Sequence, residues 1–78
     1  MKEITIEMVR KMKFVQDNLE PLLRRLDPNI TAAAYTYDHA TEEEYVTVVH
    51  PNGVENICVS ADSMAQLTVD VIEEVFLS

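Results

Sequence analysis

Carboxylates are the most abundant chemically active side chains in this sequence, and they are concentrated in one part of it. The six lysines and arginines all lie in residues 1–26, which carry four acids, whereas residues 27–78 carry ten acids and neither lysine nor arginine. Carboxylates can act in acid–base pairs, bind a metal ion, or form a charged surface that attracts a basic partner. Our candidate partner-binding acids are Asp38, Glu42, Glu43, Glu44, Glu55, Asp70, Glu73 and Glu74.

A metal site would need several His, Cys or carboxylate ligands at close spacing. Under the strand pairing that we predict below, His50 and Cys58 point to opposite faces of the sheet, so they should not share an ion. Asp38, His39 and Glu42 lie in a polar loop, and such side chains are more often solvated. We therefore predict neither a metal site nor a cofactor.

Motifs of known enzyme classes are missing from the sequence. Gly53 is its one glycine, so there is no glycine-rich loop for phosphate. Cys58 lies in a predicted strand without a base on the same face, which predicts a half-buried structural side chain. His50 opposite Glu55 is more typical of a cross-strand polar pair than of an acid–base couple. We predict that the protein is not an enzyme and has no catalytic residues.

The first of the elements that must position these side chains is predicted to be an amphipathic helix ending near residue 26. Thr5 is its predicted N-cap. Pro21 lacks a backbone N–H and crowds the preceding turn, so we expect a kink or break near Glu20. The apolar positions recur at helical spacing and share one side of the helix: Met8, Val9, Met12, Val15, Leu19, Leu22, Leu23 and Leu26.

Three strand-like runs follow, at residues 30–38, 45–50 and 54–59. Asn52-Gly53 between the second and third runs favours a hairpin with a two-residue turn. This turn pairs His50 with Glu55 and predicts one sheet face that carries Val46, Val48, His50, Glu55, Ile57 and Val59. The other face then carries Tyr45, Thr47, Val49, Val54, Asn56 and Cys58.

Ser60 is the predicted N-cap of a last helix that runs from Ala61 to about Phe76. The resulting order is α-β-β-β-α. Its simplest packing is a three-stranded antiparallel sheet with two helices packed on one face. We therefore predict an α+β fold, formed by a single small domain over residues 1–78.

Some apolar and aromatic side chains are predicted to face outward. Tyr35, Tyr37 and Tyr45 fit an uncovered sheet face, where a tyrosine presents an apolar ring and a polar tip to a partner. Phe76 lies at the far edge of the wide apolar arc of the last helix and is a candidate for an interface between subunits. Core filling and an ordinary exposed strand are the competing explanations for these side chains.

Charge and length restrict the class of partner. A net charge of −8 on 78 residues argues against direct nucleic-acid binding, which needs an excess of lysine and arginine. No apolar run approaches the roughly 18 residues that span a bilayer, and no signal-peptide-like segment follows the first methionine. We expect a cytoplasmic protein without membrane contact.

The element order is similar in outline to that of the double-stranded-RNA-binding domain. That family has basic residues near the start of its last helix, whereas this chain has Ser60-Ala61-Asp62-Ser63 there, so no RNA-contacting residue carries over. In size and charge the chain also resembles small acidic proteins of phages and mobile elements, some of which block nucleases by imitating nucleic acid.

Our leading hypothesis is a non-enzymatic protein-interaction module whose acidic residues bind the basic surface of a partner. Its most specific form is a phage or mobile-element inhibitor of a nucleic-acid-processing protein that acts by nucleic-acid mimicry. It predicts that binding weakens when Glu42, Glu43 and Glu44 become glutamine. The alternative is a structural homo-oligomer, such as a homodimer, built through the last helix, which Phe76→Asp should convert to monomers. A regulatory or metal-binding domain that uses residues 38–44 is a third, weaker hypothesis.

Overall fold

The protein, described here by a computed structural model over residues 5–77, has the predicted order of helix, three strands and helix. Residues 1–4 and 78, which the predicted domain includes, lie outside the described residues. None of the helices in residues 5–77 combines the length and apolar character that a bilayer-crossing segment requires. The elements are α1 (Ile6–Phe14), a first π-helical turn (Val15–Leu19), α2 (Glu20–Leu26), β1 (Ala32–Asp38), β2 (Glu43–His50), β3 (Gly53–Cys58), α3 (Met64–Ile72) and a second π-helical turn (Glu73–Leu77).

The first helix begins and breaks as predicted. Oγ1 of Thr5 accepts a hydrogen bond from the backbone N–H of Met8 at 3.1 Å. The break before Pro21 takes the form of the first π-helical turn, in which the N–H of Glu20 donates to the carbonyl of Val15 five residues earlier. A wide turn accommodates the proline, whose ring would otherwise crowd the carbonyl four residues before it.

The buried side of this helical segment is narrower than predicted. Val9, Met12, Leu22 and Leu26 are exposed, contrary to the prediction. The π-helical turn adds one residue to the repeat, which rotates the positions after it by about 100° and moves Leu22 and Leu26 toward solvent. The buried positions are Met8, Lys11, Val15, Leu19 and Leu23.

The sheet has the order β1-β2-β3, and both strand pairs are antiparallel. His50 pairs with Gly53, so the β2–β3 turn is Pro51-Asn52 and the predicted Asn52-Gly53 turn is wrong. The predicted turn would place Pro51 in a hydrogen-bonded pair with Val54, and proline has no N–H to donate. All predicted β2–β3 partners are therefore shifted by two residues, which leaves each side chain on its predicted face.

The core lies between one sheet face and the helices, as predicted. The other face of the sheet carries exposed or half-buried side chains along all three strands. Each fully buried aliphatic side chain stabilises the fold by about 1.5–3 kcal/mol relative to exposure. The core residues are Met8, Val15, Leu19, Leu23, Ile30, Ala33, Tyr35, Val46, Val48, Ile57, Val59, Leu67 and Val71.

The last helix begins three residues later than predicted. Its N-cap is Ser63, whose Oγ accepts a hydrogen bond from the N–H of Gln66 at 3.1 Å. Ser60 does not cap a helix, because its Oγ accepts the backbone N–H of Glu44 at 2.8 Å. Ala61 between them has a φ of 65°, in the left-handed region, so the chain turns here before α3 starts.

Candidate functional site

Three of the predicted acids lie together along one side of the last helix. Asp70 on α3 and Glu73 and Glu74 on the turn after it line a groove of about 350 Å³. We call this groove, between α3 and β3, the acidic groove. Residues 27–78 contain neither lysine nor arginine, so every lysine and arginine of the sequence comes before β1. The strand side of the groove is formed by Asn56, Ile57 and Cys58.

A fourth predicted acid, Glu43, lies at the rim of the acidic groove, where it contacts Cys58. The Sγ of Cys58 lies 3.2 Å from Oε2 of Glu43 on the neighbouring strand β2 and 3.6 Å from Oγ of Ser60. Cys58 is exposed. The prediction of a half-buried cysteine without a base on its face is therefore wrong, because Cys58 is exposed and the end of β2 brings the carboxylate of Glu43 beside it.

The remaining predicted acids on the surface lie outside the acidic groove. Oδ1 of Asp38 accepts the backbone N–H of Ala40 at 2.9 Å, which holds the β1–β2 turn. Glu42 in that turn is exposed and has a left-handed φ of 59°. Glu55 lies at the opposite end of β3, with Oε1 3.7 Å from Nε2 of His50. The two side chains are in contact, as predicted, but they are not directly opposite: His50 pairs with Gly53, and Glu55 pairs with Val48.

Glu44 is buried, and the prediction that it contacts a partner is wrong. Its side chain lies among donors from three other segments of the chain. Nζ of Lys11 on α1 donates to Oε1 at 3.1 Å, and the hydroxyl of Tyr35 on β1 donates to the same oxygen. The backbone N–H of Ala61 donates to Oε2 at 3.1 Å. With both oxygens engaged inside the protein, Glu44 serves the fold.

The donors around Glu44 set its ionisation. Burial alone would raise the pKa of Glu44, but hydrogen bonds from Tyr35, Ala61 and Lys11 outweigh it and hold the pKa below its usual value. Burial first, and then the hydrogen bond to Glu44, raises the pKa of Tyr35. At neutral pH the pair is therefore a charged carboxylate and a neutral phenol that donates to it.

The sequence offered one signal for this buried network. Lys11 lies three residues after Met8 and four before Val15, which places it on the buried side of the first helix. Its side chain is 4% exposed, so solvent and substrates do not reach Nζ. Lys11 is therefore a buried lysine that is ion-paired with Glu44 inside the fold.

A second pair of carboxyl groups, which we did not predict, joins α3 to the segment before it. Oδ2 of Asp62 is buried and has no hydrogen-bond donor among residues 5–77. Burial, and then contact with Asp70, raises the pKa of Asp62 to about 6; Lys11 opposes the shift and Glu44 adds to it. The pKa of Asp70 is lowered by hydrogen bonds from Asp62 and Gln66. Below about pH 6 the two carboxyl groups therefore share a proton.

Two of the three predicted surface tyrosines do not lie on the uncovered sheet face. Tyr35 is buried in the core, and Tyr37, two residues along the same strand, is half-buried on the covered side. Tyr37 packs edge-on against the ring of His39, with ring centroids 4.9 Å apart. Tyr45 does lie on the uncovered face, and Phe76 is 36% exposed. Of the four predicted apolar or aromatic contact residues, Tyr35 alone is buried; Tyr37 and Tyr45 are half-buried, and Phe76 is exposed.

The side chains of the described residues are not arranged as a metal centre: within 5–77, no three His, Cys, Asp or Glu residues come together to hold an ion. No protein-family model, curated protein or solved structure matches the chain. The functional conclusion therefore depends on the geometry and charge of the acidic groove and its surroundings.

Proposed function

We propose that this protein is a non-enzymatic interaction module that binds the basic surface of a partner protein through the acidic groove. The observation that carries the proposal is the grouping of Asp70, Glu73 and Glu74 around one open groove, with Glu43 at its rim. Facing carboxylates and basic side chains steer association and exclude acidic competitors.

In its most specific form, the protein is an inhibitor, of the kind that phages and mobile elements encode, directed at a nucleic-acid-processing protein. Its carboxylates would take the places of nucleic-acid phosphates on the partner. The net charge of −8 and the lack of lysine and arginine from residue 27 onward support this form.

The exposed apolar side of the last helix favours a competing function, assembly of identical subunits. Val69 on α3 and Phe76 on the π-helical turn after it are 47% and 36% exposed. A homo-oligomer that buries this stripe predicts that Phe76→Asp lowers the mass measured by light scattering to that of a monomer. A parent chain that is already a monomer, at 8.9 kDa, removes this alternative.

The test of the proposed function compares two variants of equal charge. Glu73→Gln/Glu74→Gln removes two of the three carboxylate charges that line the acidic groove. Asp17→Asn/Glu20→Gln removes two charges from the N-terminal helical segment. Glu44 is left unchanged, because its neutralisation would act on stability.

The immobilised parent chain is exposed to a cell extract, and the retained protein is identified, purified and titrated with all three chains by calorimetry. We expect a basic partner that binds the groove variant about tenfold more weakly and the control variant as tightly as the parent. Binding should also weaken as salt rises to about 0.3 M. A partner that binds the groove variant as tightly as the parent, or a chain that retains no basic protein, contradicts the proposal.

A further inference from the structure

β3 is an edge strand, and its free edge forms one wall of the acidic groove. It pairs only with β2 in the sheet order β1-β2-β3. The N–H of Val59, the residue after β3, donates to the carbonyl of Glu44 at 2.8 Å, so the backbone of Val59 points toward β2. Hydrogen-bonded pairs alternate along an antiparallel ladder. The backbone N–H and C=O groups of the intervening residues, Val54, Asn56 and Cys58, therefore point away from β2.

These outward backbone groups are available for pairing. Among residues 5–77, no hydrogen bond engages the backbone of Val54, Asn56 or Cys58 on this side. Folded proteins commonly protect such edges with lysine, proline or a covering element. β3 has neither lysine nor proline, and α3 leaves a groove of about 350 Å³ beside it. A row of unpaired amides and carbonyls bordering an open groove is the template on which a further strand forms.

We propose that the groove takes an extended, lysine- or arginine-bearing segment of the partner, which adds to β3 as a fourth strand. This inference rests on the proposed function and specifies how the partner is held. Side chains of an added strand alternate between the two sheet faces. Those on the α3 side meet the carboxylates of Asp70, Glu73 and Glu74, so cationic residues fit at every second position.

The charge of the groove also argues for a foreign segment over a second copy of this chain. Pairing two β3 edges would bring two sets of the same carboxylates together, and like charges facing each other oppose association. A basic segment removes that repulsion and gains hydrogen bonds along the strand.

The proposal is tested with the full chain, labelled with ¹⁵N, and three synthetic peptides. The first peptide alternates lysine and valine, the second alternates glutamate and valine, and the third is the lysine peptide with N-methylated backbone on alternate residues. N-methylation keeps charge and side chains but removes the N–H groups that would pair with β3. The comparison of the three peptides uses the unaltered protein, so a folding defect cannot imitate its result.

We expect the lysine peptide to bind and to slow hydrogen exchange at the amides of Val54, Asn56 and Cys58. N-methylation should weaken binding about tenfold or more, because a net hydrogen bond contributes roughly fivefold to an affinity and several are lost. The glutamate peptide should not bind. The lysine peptide should bind Glu73→Gln/Glu74→Gln more weakly than the parent chain, and it should bind Asp17→Asn/Glu20→Gln as tightly as the parent.

Strand addition is overturned if the N-methylated peptide binds as tightly as its parent, if the three amides stay unprotected, or if the lysine peptide does not bind. The charge assignment is overturned if the glutamate peptide binds equally well. The proposed function would hold without strand addition if a partner from the extract binds Glu73→Gln/Glu74→Gln more weakly than the parent but leaves the three amides of β3 unprotected. A partner that is indifferent to the groove variant would remove both.

Discussion

Glu44→Gln removes the charge that the buried ammonium group of Lys11 faces, and we expect a large loss of stability. Nζ of Lys11 lies 3.1 Å from Oε1 of Glu44, and the two side chains are 4% and 12% exposed. Removing one partner of a buried ion pair costs about 3–5 kcal/mol. We expect about 3 kcal/mol, because Glu7 lies 4.0 Å from the same ammonium group and offers a partly solvated substitute.

That loss is a large part of the free energy of unfolding, which is about 4–12 kcal/mol for a chain of this length. Lys11→Met should cost less, about 1–3 kcal/mol, because the carboxylate of Glu44 keeps its donors Tyr35 and Ala61. The double variant Lys11→Met/Glu44→Gln leaves no unpaired charge, so its loss should be smaller than the sum of the two single losses.

Urea unfolding followed by circular dichroism, extrapolated to zero urea, measures all three losses. Glu20→Gln is the matched control, since its Oε1 lies 3.6 Å from Nη1 of Arg24 in a pair whose side chains are 25% and 57% exposed. The loss of stability in this control should stay below about 1 kcal/mol. The reasoning is refuted if Glu44→Gln loses no more than this control. It is equally refuted if the losses of the two single variants add up in the double variant.

Four further variants test the segment between β3 and α3. The pKa of Asp62, raised by burial and by Asp70 to about 6, makes this group stabilising in acid, and that contribution is lost as pH rises through about 6. Asp62→Asn should therefore flatten the decline of Tm between acid and neutral pH; an unchanged decline would contradict the shared proton. Ala61→Gly should raise the free energy of unfolding by about 0.5–1 kcal/mol, because glycine adopts a φ of 65° without strain; a loss in urea unfolding would contradict this. Ser63→Ala should lower helical content and cost about 1 kcal/mol, whereas Ser60→Ala should cost a similar amount with α3 unchanged by NMR.

The order of elements and the two faces of the sheet could be predicted because they depend on local alternation. Val46 and Val48 repeat with the period of a strand, and that period assigns a face without knowledge of the partner strand. The strand register could not be predicted from the turn propensity of Asn52-Gly53 alone, because the missing N–H of Pro51 decides it. The bounds of the strands differ from the predicted ones by at most two residues.

The candidate site was harder to predict because its contacts join distant parts of the chain. Lys11 and Glu44 are 33 residues apart, and no local pattern distinguishes Glu44 from its exposed neighbour Glu42. Ser60 and Ser63 have equal capping propensity, and only the tertiary contact of Ser60 with the backbone of Glu44 leaves Ser63 to cap α3. The grouping of Asp70, Glu73 and Glu74 follows from helical spacing and was within reach of the sequence.

The carboxylate of Glu44 has a consequence for how the molecule folds. Its donors come from α1, from β1 and from the segment before α3, at sequence separations of 33, 9 and 17 residues. In a compact intermediate that lacks any one of these segments, the buried carboxylate of Glu44 is without one of its hydrogen-bond donors. This raises the free energy of the intermediate. We therefore expect the network to make folding more cooperative. The amide of Ala61, although it lies in a loop, should exchange its hydrogen only when the whole domain opens.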